Sequence, residues 1–129
     1  MAKKSLNIVE SAYRAVIEEQ DDTILWLVAA MQAAGGNHSV VLRGNAVNYA
    51  LAGQGAPALT VGEWQQTQAP KMDRDVADLA DNRNVAVYVV EEDLGERGIA
   101  VDQLVPNVRL VSRRALPQLF AEHEVICHW

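Results

Sequence analysis

The chain has 129 residues, half of them apolar and 22% charged, which suits one compact domain with a real core and excludes disordered and fibrous classes. Its net charge of −6 argues against nucleic acid or an anionic membrane as the main partner. The longest apolar stretch, Ile24 to Met31, is too short to span a bilayer, and a single cysteine, Cys127, rules out an internal disulfide framework. No signal-peptide core opens the sequence, so the cytoplasm is the expected location.

In chain order, Ser5 to Ser11 reads as a first strand around Leu6, Ile8 and Val9. After a loop or loose turn over Ala12 to Gln20, Asp21 or Asp22 can cap a helix running from Thr23 through Met31, closed by Gly35 and Gly36. That helix is apolar on most of its circumference, which predicts a sheet on one side and a second cover, such as another subunit, on the other. Ser39 to Arg43 is a second strand, followed by Gly44–Asn45 and a short helix ending near Gly53. Val61 to Ala69 fits either a strand end or an irregular segment. Asp73 to Asn82 reads as a polar helix with Val76, Leu79 and Ala80 inward.

Val85 to Val90 is a β-branched apolar run without polar alternation, the pattern of a strand buried on both faces in the middle of a parallel sheet. It ends in Glu91, Glu92 and Asp93, acids that suit the first turn of a helix stopped by Gly98. Val108 to Val111 is a fourth strand, and Ser112 opens a helical stretch through Phe120 with Pro117 in its first turn. Glu124 to Trp129 closes the chain as a strand. Strands alternating with helices predict a single-domain α/β fold with a doubly wound, mostly parallel five-stranded sheet flanked by helices.

In open α/β sheets, ligands gather outside the carboxyl ends of the strands. Tyr13, Arg14, Arg43 and Asn45 follow the first two strands, and Val90, Glu91 and Glu92 mark the end of the third. Arg14 and Arg43 could hold an anion there, although surface pairing with the acids after the third strand accounts for them better. The acidic trio could act as an acid/base group, but complementing the helix dipole explains it more simply. Glu18, Glu19, Asp21 and Asp22 could bind a cation, yet their spacing sets out no rigid ligand geometry, so no metal is expected. No GxGxxG or GxxxxGK[ST] motif is present, and the loop after the first strand lacks the hydroxyl-rich phosphate cradle of a flavin site, so no cofactor is expected.

Cys127 is the one candidate nucleophile. A reactive thiolate needs a neighbouring positive charge or base. On a strand, His128 points away from Cys127, and His123 would lie roughly 13 Å off at ~3.3 Å per residue. Cys127 is therefore expected to be buried and inert, packed with Val125 and Trp129 against a helix.

Several segments resemble the DsrE/DsrF/DsrH superfamily, whose tRNA-thiolation counterparts are TusD, TusC and TusB. SAYRAVIEEQDDTILWLVAAM resembles the "APYG…EGLD" loop and first helix of the DsrF/TusC branch, NAVNYALAGQ its "DGVFQLLPGQ", and LFAEHEVICHW its C-terminus. VYVVEEDLGERGI is similar to the "VYALNEDLIARGL" segment of the DsrH/TusB branch. The resemblance implies a DsrE-like domain of flavodoxin-like topology that assembles with itself or with DsrE-like subunits into trimers or hexamers. It implies handling of sulfur as a cysteine persulfide, or support of a subunit that does so, with a sulfur-carrier protein as partner. The sulfur-bearing cysteine of DsrE/TusD falls eight residues before the glycine matching Gly98, a position held here by Val90. Arg14, Asn45 and Ala46 depart from the glycine and Asp-Gly positions of the DsrF/TusC pattern. The resemblance therefore implies a noncatalytic DsrF- or DsrH-like subunit. The alternatives are a homo-oligomer binding a small anionic or thiol-containing ligand at the sheet edge, and an independent sulfurtransferase using Cys127.

Overall fold

The computed structural model describes residues 2–14 and 21–129. Strand β1 (Lys4–Val9) is followed by helix α1 (Thr23–Ala33), β2 (Asn37–Leu42) and a 3-10 segment, Gly44–Ala50. A small antiparallel hairpin, β3 (Thr60–Val61) and β4 (Trp64–Gln65), occupies the stretch that fitted either a strand end or an irregular segment. Helix α2 (Met72–Asn82), β5 (Ala86–Val90), α3 (Glu91–Glu96), β6 (Arg109–Val111), α4 (Leu116–Ala121) and β7 (Val125–His128) complete the order.

The five long-range strands form one parallel sheet in the order β6-β5-β2-β1-β7. The doubly wound α/β reading therefore holds. The winding runs outward from β1 through β2 and β5 to β6, then returns across the sheet to place β7 on the other side of β1. Because parallel crossovers are right-handed, the first three put their helices on one face and the returning one puts α4 on the opposite face. The middle strand is β2 rather than β5. Its Val40, Val41 and Leu42 are wholly buried, whereas Ala86 and Tyr88 of β5 are only half-buried.

On the first face, Val9, Val40, Leu42, Val87 and Val89 pack against Ile24, Leu25 and Val28 of α1, Met72, Val76 and Leu79 of α2, and Leu94 of α3. Positions 72, 76 and 79 follow the 3.6-residue period, so α2 presents one apolar stripe. On the second face, Leu6, Ile8, Val41 and Val90 pack with Leu116 and Leu119 of α4, with Tyr88, Val111 and Phe120 beside them. Asp22 caps α1 as expected, its Oδ1 accepting from the amides of Ile24 at 2.9 Å and Leu25 at 3.2 Å. Gly35, at φ 98°, supplies the left-handed turn that ends it. Trp26 points outward and leaves 58% of its surface exposed.

Candidate functional site

The carboxyl edge of the sheet gathers charged side chains from every sheet strand, in two groups. At the β2–β5–β6 end, Asp93 of α3 is the hub. Its Oδ2 accepts from the Gly44 amide at 2.8 Å, and its Oδ1 lies 2.5 Å from Arg113 Nη2, just beyond β6. Gly44 has φ 56°, a conformation that favours glycine and turns its amide toward Asp93. Arg113 also reaches Glu96 at 3.1 Å, and its own amide donates to Glu92 Oε1 at 2.8 Å. Arg97 bridges back, donating to Asn45 Oδ1 at 2.9 and 3.2 Å and to the Asp93 carbonyl at 3.1 Å.

Burial alone would raise the carboxyl of Asp93. The Gly44 amide and the Arg113 guanidinium outweigh it and hold the group below the ordinary aspartate value. Glu92 is also lowered, first by the Arg113 amide. Both acids are therefore ionised near neutral pH and engaged by donors. That arrangement favours cross-linking three strand ends over moving a proton.

At the β1–β2–β7 end, Glu10 takes the central place. It lies 3.6 Å from Arg43 Nε and 2.7 Å from His128 Nε2, all three partly exposed. Arg43 thus pairs with Glu10 and not with the acids after β5, of which Glu92, Asp93 and Glu96 are engaged by Arg113. The backbone seals the same junction, with the Arg43 amide donating to the Val9 carbonyl at 3.0 Å and the Trp129 amide to the Ile8 carbonyl at 2.9 Å.

Between β1 and α1, Tyr13 sits at φ 58°, with its ring edge-on to Tyr49 at 5.0 Å. Its amide donates to the Tyr49 hydroxyl, which in turn donates to Asp22 Oδ2 at 2.6 Å, and the Tyr13 hydroxyl donates to Gln54 at 2.6 Å. Burial, then the bond to Asp22, pushes the Tyr49 phenol far above its ordinary value, so it stays protonated. Arg14 differs from its neighbours. Its Nε and Nη2 are closed from solvent with no hydrogen-bond partner among the described residues.

Three sequence expectations need correction. Val90 is wholly buried among Leu6, Ile8, Val41, Leu116 and Leu119, so it cannot contact a ligand. Its strand ends under the cover of α4, and the chain surfaces only at Glu91 and Glu92, both exposed. Cys127 is half-buried rather than buried, because β7 is an edge strand and Trp129 beside it is partly exposed. His123 is not on that strand. It is buried at the end of α4, its Nδ1 2.8 Å from the Leu119 carbonyl and its Nε2 without a partner.

Glu18 and Glu19 of the acidic run lie outside the described residues, and among the described residues no His, Cys, Asp and Glu group has the arrangement of a metal site. The residues that organise this edge but were not singled out in the sequence are Glu10, Tyr49, Arg97 and Arg113; Asp22 was expected as a cap, Asp93 as part of the acidic trio and His128 only as the neighbour of Cys127. Extending the strand-end rule to the fourth and fifth sheet strands would have found Arg113 and His128.

No family model and no curated protein sequence matches the chain. The fold itself is shared with solved structures. The ychN protein from E. coli superposes with a TM-score of 0.72 at 17% identity, each chain covered in full. A protein of unknown function from Methanobacterium thermoautotrophicum, MTH1491, gives a TM-score of 0.62 at 14% identity, over 98% of this chain and 99% of that one. At these identities the likeness is one of architecture: a five-stranded parallel α/β sheet.

Proposed function

We propose that the chain is a noncatalytic, DsrF- or DsrH-like subunit of an intracellular sulfur-relay assembly serving sulfur oxidation or tRNA thiolation. The carrying observation is the strand end at Val90. Where the DsrE pattern has its persulfide cysteine, this chain has an aliphatic side chain enclosed by five others. A persulfide forms on an accessible thiolate, and the edge around Val90 offers ion-paired carboxylates and guanidinium groups in its place. The ychN-like architecture and the segment resemblances to DsrF and DsrH support the same reading. The subunit's contribution is then structural, giving a DsrE-like partner a rigid, charged edge beside which a sulfur-carrier protein docks. It needs no cofactor and acts in the cytoplasm. Among the described residues, no helix is long and apolar enough to cross a membrane.

The test is purification of the tagged chain from its native host, followed by intact-mass measurement after exposure to a persulfide donor. Stoichiometric DsrE-like and carrier proteins in the eluate, with no sulfur gained on Cys127, are the expected result. A gain of one sulfur on Cys127, abolished by Cys127→Ser, would replace this reading with an independent sulfurtransferase.

A second reading, a homo-oligomer binding a small anionic ligand, draws on the guanidinium atoms of Arg14 that lack a partner among the described residues. Recovery of the chain alone, with a small anion displaced on denaturation, would favour it.

A further inference from the structure

Away from the carboxyl edge, α1 and α2 leave a groove of about 120 Å³ between them. Leu25 and Ala29 give it an apolar floor, Trp26 stands at its side, and Asp21, Asp75, Asp78 and Arg83 complete the lining. Arg83 is already engaged, its Nε 2.6 Å from Asp78 Oδ2. Two features have no explanation among the described residues. Trp26 is a large aromatic ring left mostly in solvent beside apolar neighbours. Asp75 is a half-buried carboxylate whose Oδ2 is closed from solvent and lacks a hydrogen-bond partner.

The charges around Asp75 sharpen the point. Asp21, ahead of α1, and Asp73 and Asp78 on its own helix all oppose its ionisation, and only Lys71, one turn earlier, favours it. Helix α1 carries no charged residue to face it. Burial is the largest influence and lifts the carboxyl to about 6.

We propose that this groove binds the cationic head of an alkylguanidinium or alkylammonium group. The alkyl stem lies along Leu25 and Ala29, and the head sits between the Trp26 ring and the Asp75 carboxylate. An aromatic face within about 6 Å attracts such a head, and a methylene stem suits an apolar floor. Three carboxylates against one guanidinium repel an anion. The same head chemistry is carried by a free amine or guanidine metabolite and by a lysine or arginine side chain of a protein. This site is separate from the sheet edge and does not depend on the sulfur-relay reading.

The experiment follows the indole N–H signal of Trp26, assigned with Trp26→Phe, during titration with butylguanidinium and with its neutral analogue butylurea. A saturable shift is expected with the cation at pH 7.5, at least tenfold weaker with butylurea. Binding should weaken about tenfold at pH 5, where a carboxyl titrating near 6 is about nine-tenths protonated. Asp75→Asn should weaken binding by a similar factor and remove its pH dependence, with the dispersion of the backbone amide signals reporting that the variant folds. Equal shifts from butylurea, a wild-type affinity flat between pH 7.5 and 5, or no saturable shift would each overturn the proposal. The pH arm uses the unmodified chain, so misfolding of Asp75→Asn would not protect the proposal. A blocked Gly-Arg-Gly peptide binding more tightly than butylguanidinium would identify a protein side chain as the occupant, and the reverse order a small molecule. Either result supports the site.

Discussion

The two faces of the sheet are built from similar aliphatic strands but are covered very differently. The face under α1, α2 and α3 encloses its strand residues together with the apolar stripes of three helices. Among the described residues the opposite face has only α4, six residues long, and leaves Ile126 of β7 42% exposed and Tyr88 half-exposed beneath the Arg109 guanidinium, 5.8 Å from the ring centroid. The difference follows from topology, because three of the four crossovers run in one direction and only one returns. An apolar sheet face with a single short helix over it is a surface suited to contact with another subunit.

Paired truncations test this contrast most directly. Leu42→Ala on the covered face should cost about 2–5 kcal/mol in urea unfolding, the range for a buried large-to-small change, while Ile126→Ala should cost less than about 1 kcal/mol. Equal costs would mean that the open face is covered in solution. In that case light scattering should read a multiple of the 14.1 kDa chain mass, reduced by Ile126→Glu. A monomer at micromolar concentration, with unequal costs, would leave the open face genuinely bare.

The polar anchor of the covered face comes next in size. Asp22→Ala removes the cap of α1 and strands the buried Tyr49 hydroxyl, and should cost at least about 2 kcal/mol in the same assay. Asp22→Asn, which can still cap, should recover part of it.

At the strand ends that join the two faces, the expected effect is a shift in acid sensitivity. Asp93 has a lowered folded-state value, so its ionised form stabilises the fold above the unfolded value of about 3.9, and that contribution is lost as pH falls through the folded value. Arg113→Ala removes a donor to Asp93 and should raise the folded value toward the unfolded one, so the variant should have a lower Tm at neutral pH and lose less of it on acidification than the unaltered chain. Superimposable Tm–pH curves would show that the Gly44 amide alone holds the carboxylate.

The smallest effect is expected at the sheet margin. Cys127→Ser on the half-buried edge strand should cost less than about 1 kcal/mol, below the roughly 1–3 kcal/mol that a fully buried unsatisfied hydroxyl brings. Alkylation of native Cys127 should also be readily measurable, whereas a fully enclosed thiol would react only on unfolding.

The elements that the sequence made legible are those coded locally. The unbroken runs around Val40 and Val87, the Asp22 cap with Gly35 at the far end of α1, and the 72–76–79 stripe each depend on a few neighbouring residues. What was not legible depends on strand order. The partner of Arg43 could not be assigned until β1 and β2 were known to be neighbours with β7 beside them. Likewise Arg113 meets Asp93 only because β6 lies next to β5. The exposure of Cys127 was misjudged for the same reason, since VICH reads as apolar whether its strand is central or at an edge. Val90 was correctly placed at a strand end, but its enclosure comes from α4, whose face is set by the returning crossover.

The return of β7 to β1 also has a kinetic consequence. Lys4 and Glu124, joined across the start of that pairing, are 120 residues apart in the chain. During synthesis β1 must therefore wait, with one of its ladder edges open, until nearly every other element has emerged. Closing so distant a contact is slow compared with forming hairpins or helices. Until β7 is made and docks, β1 carries an open parallel-pairing edge, and such edges invite misassembly. The lysines at positions 3 and 4, at the mouth of that edge, are the charges best placed to discourage it.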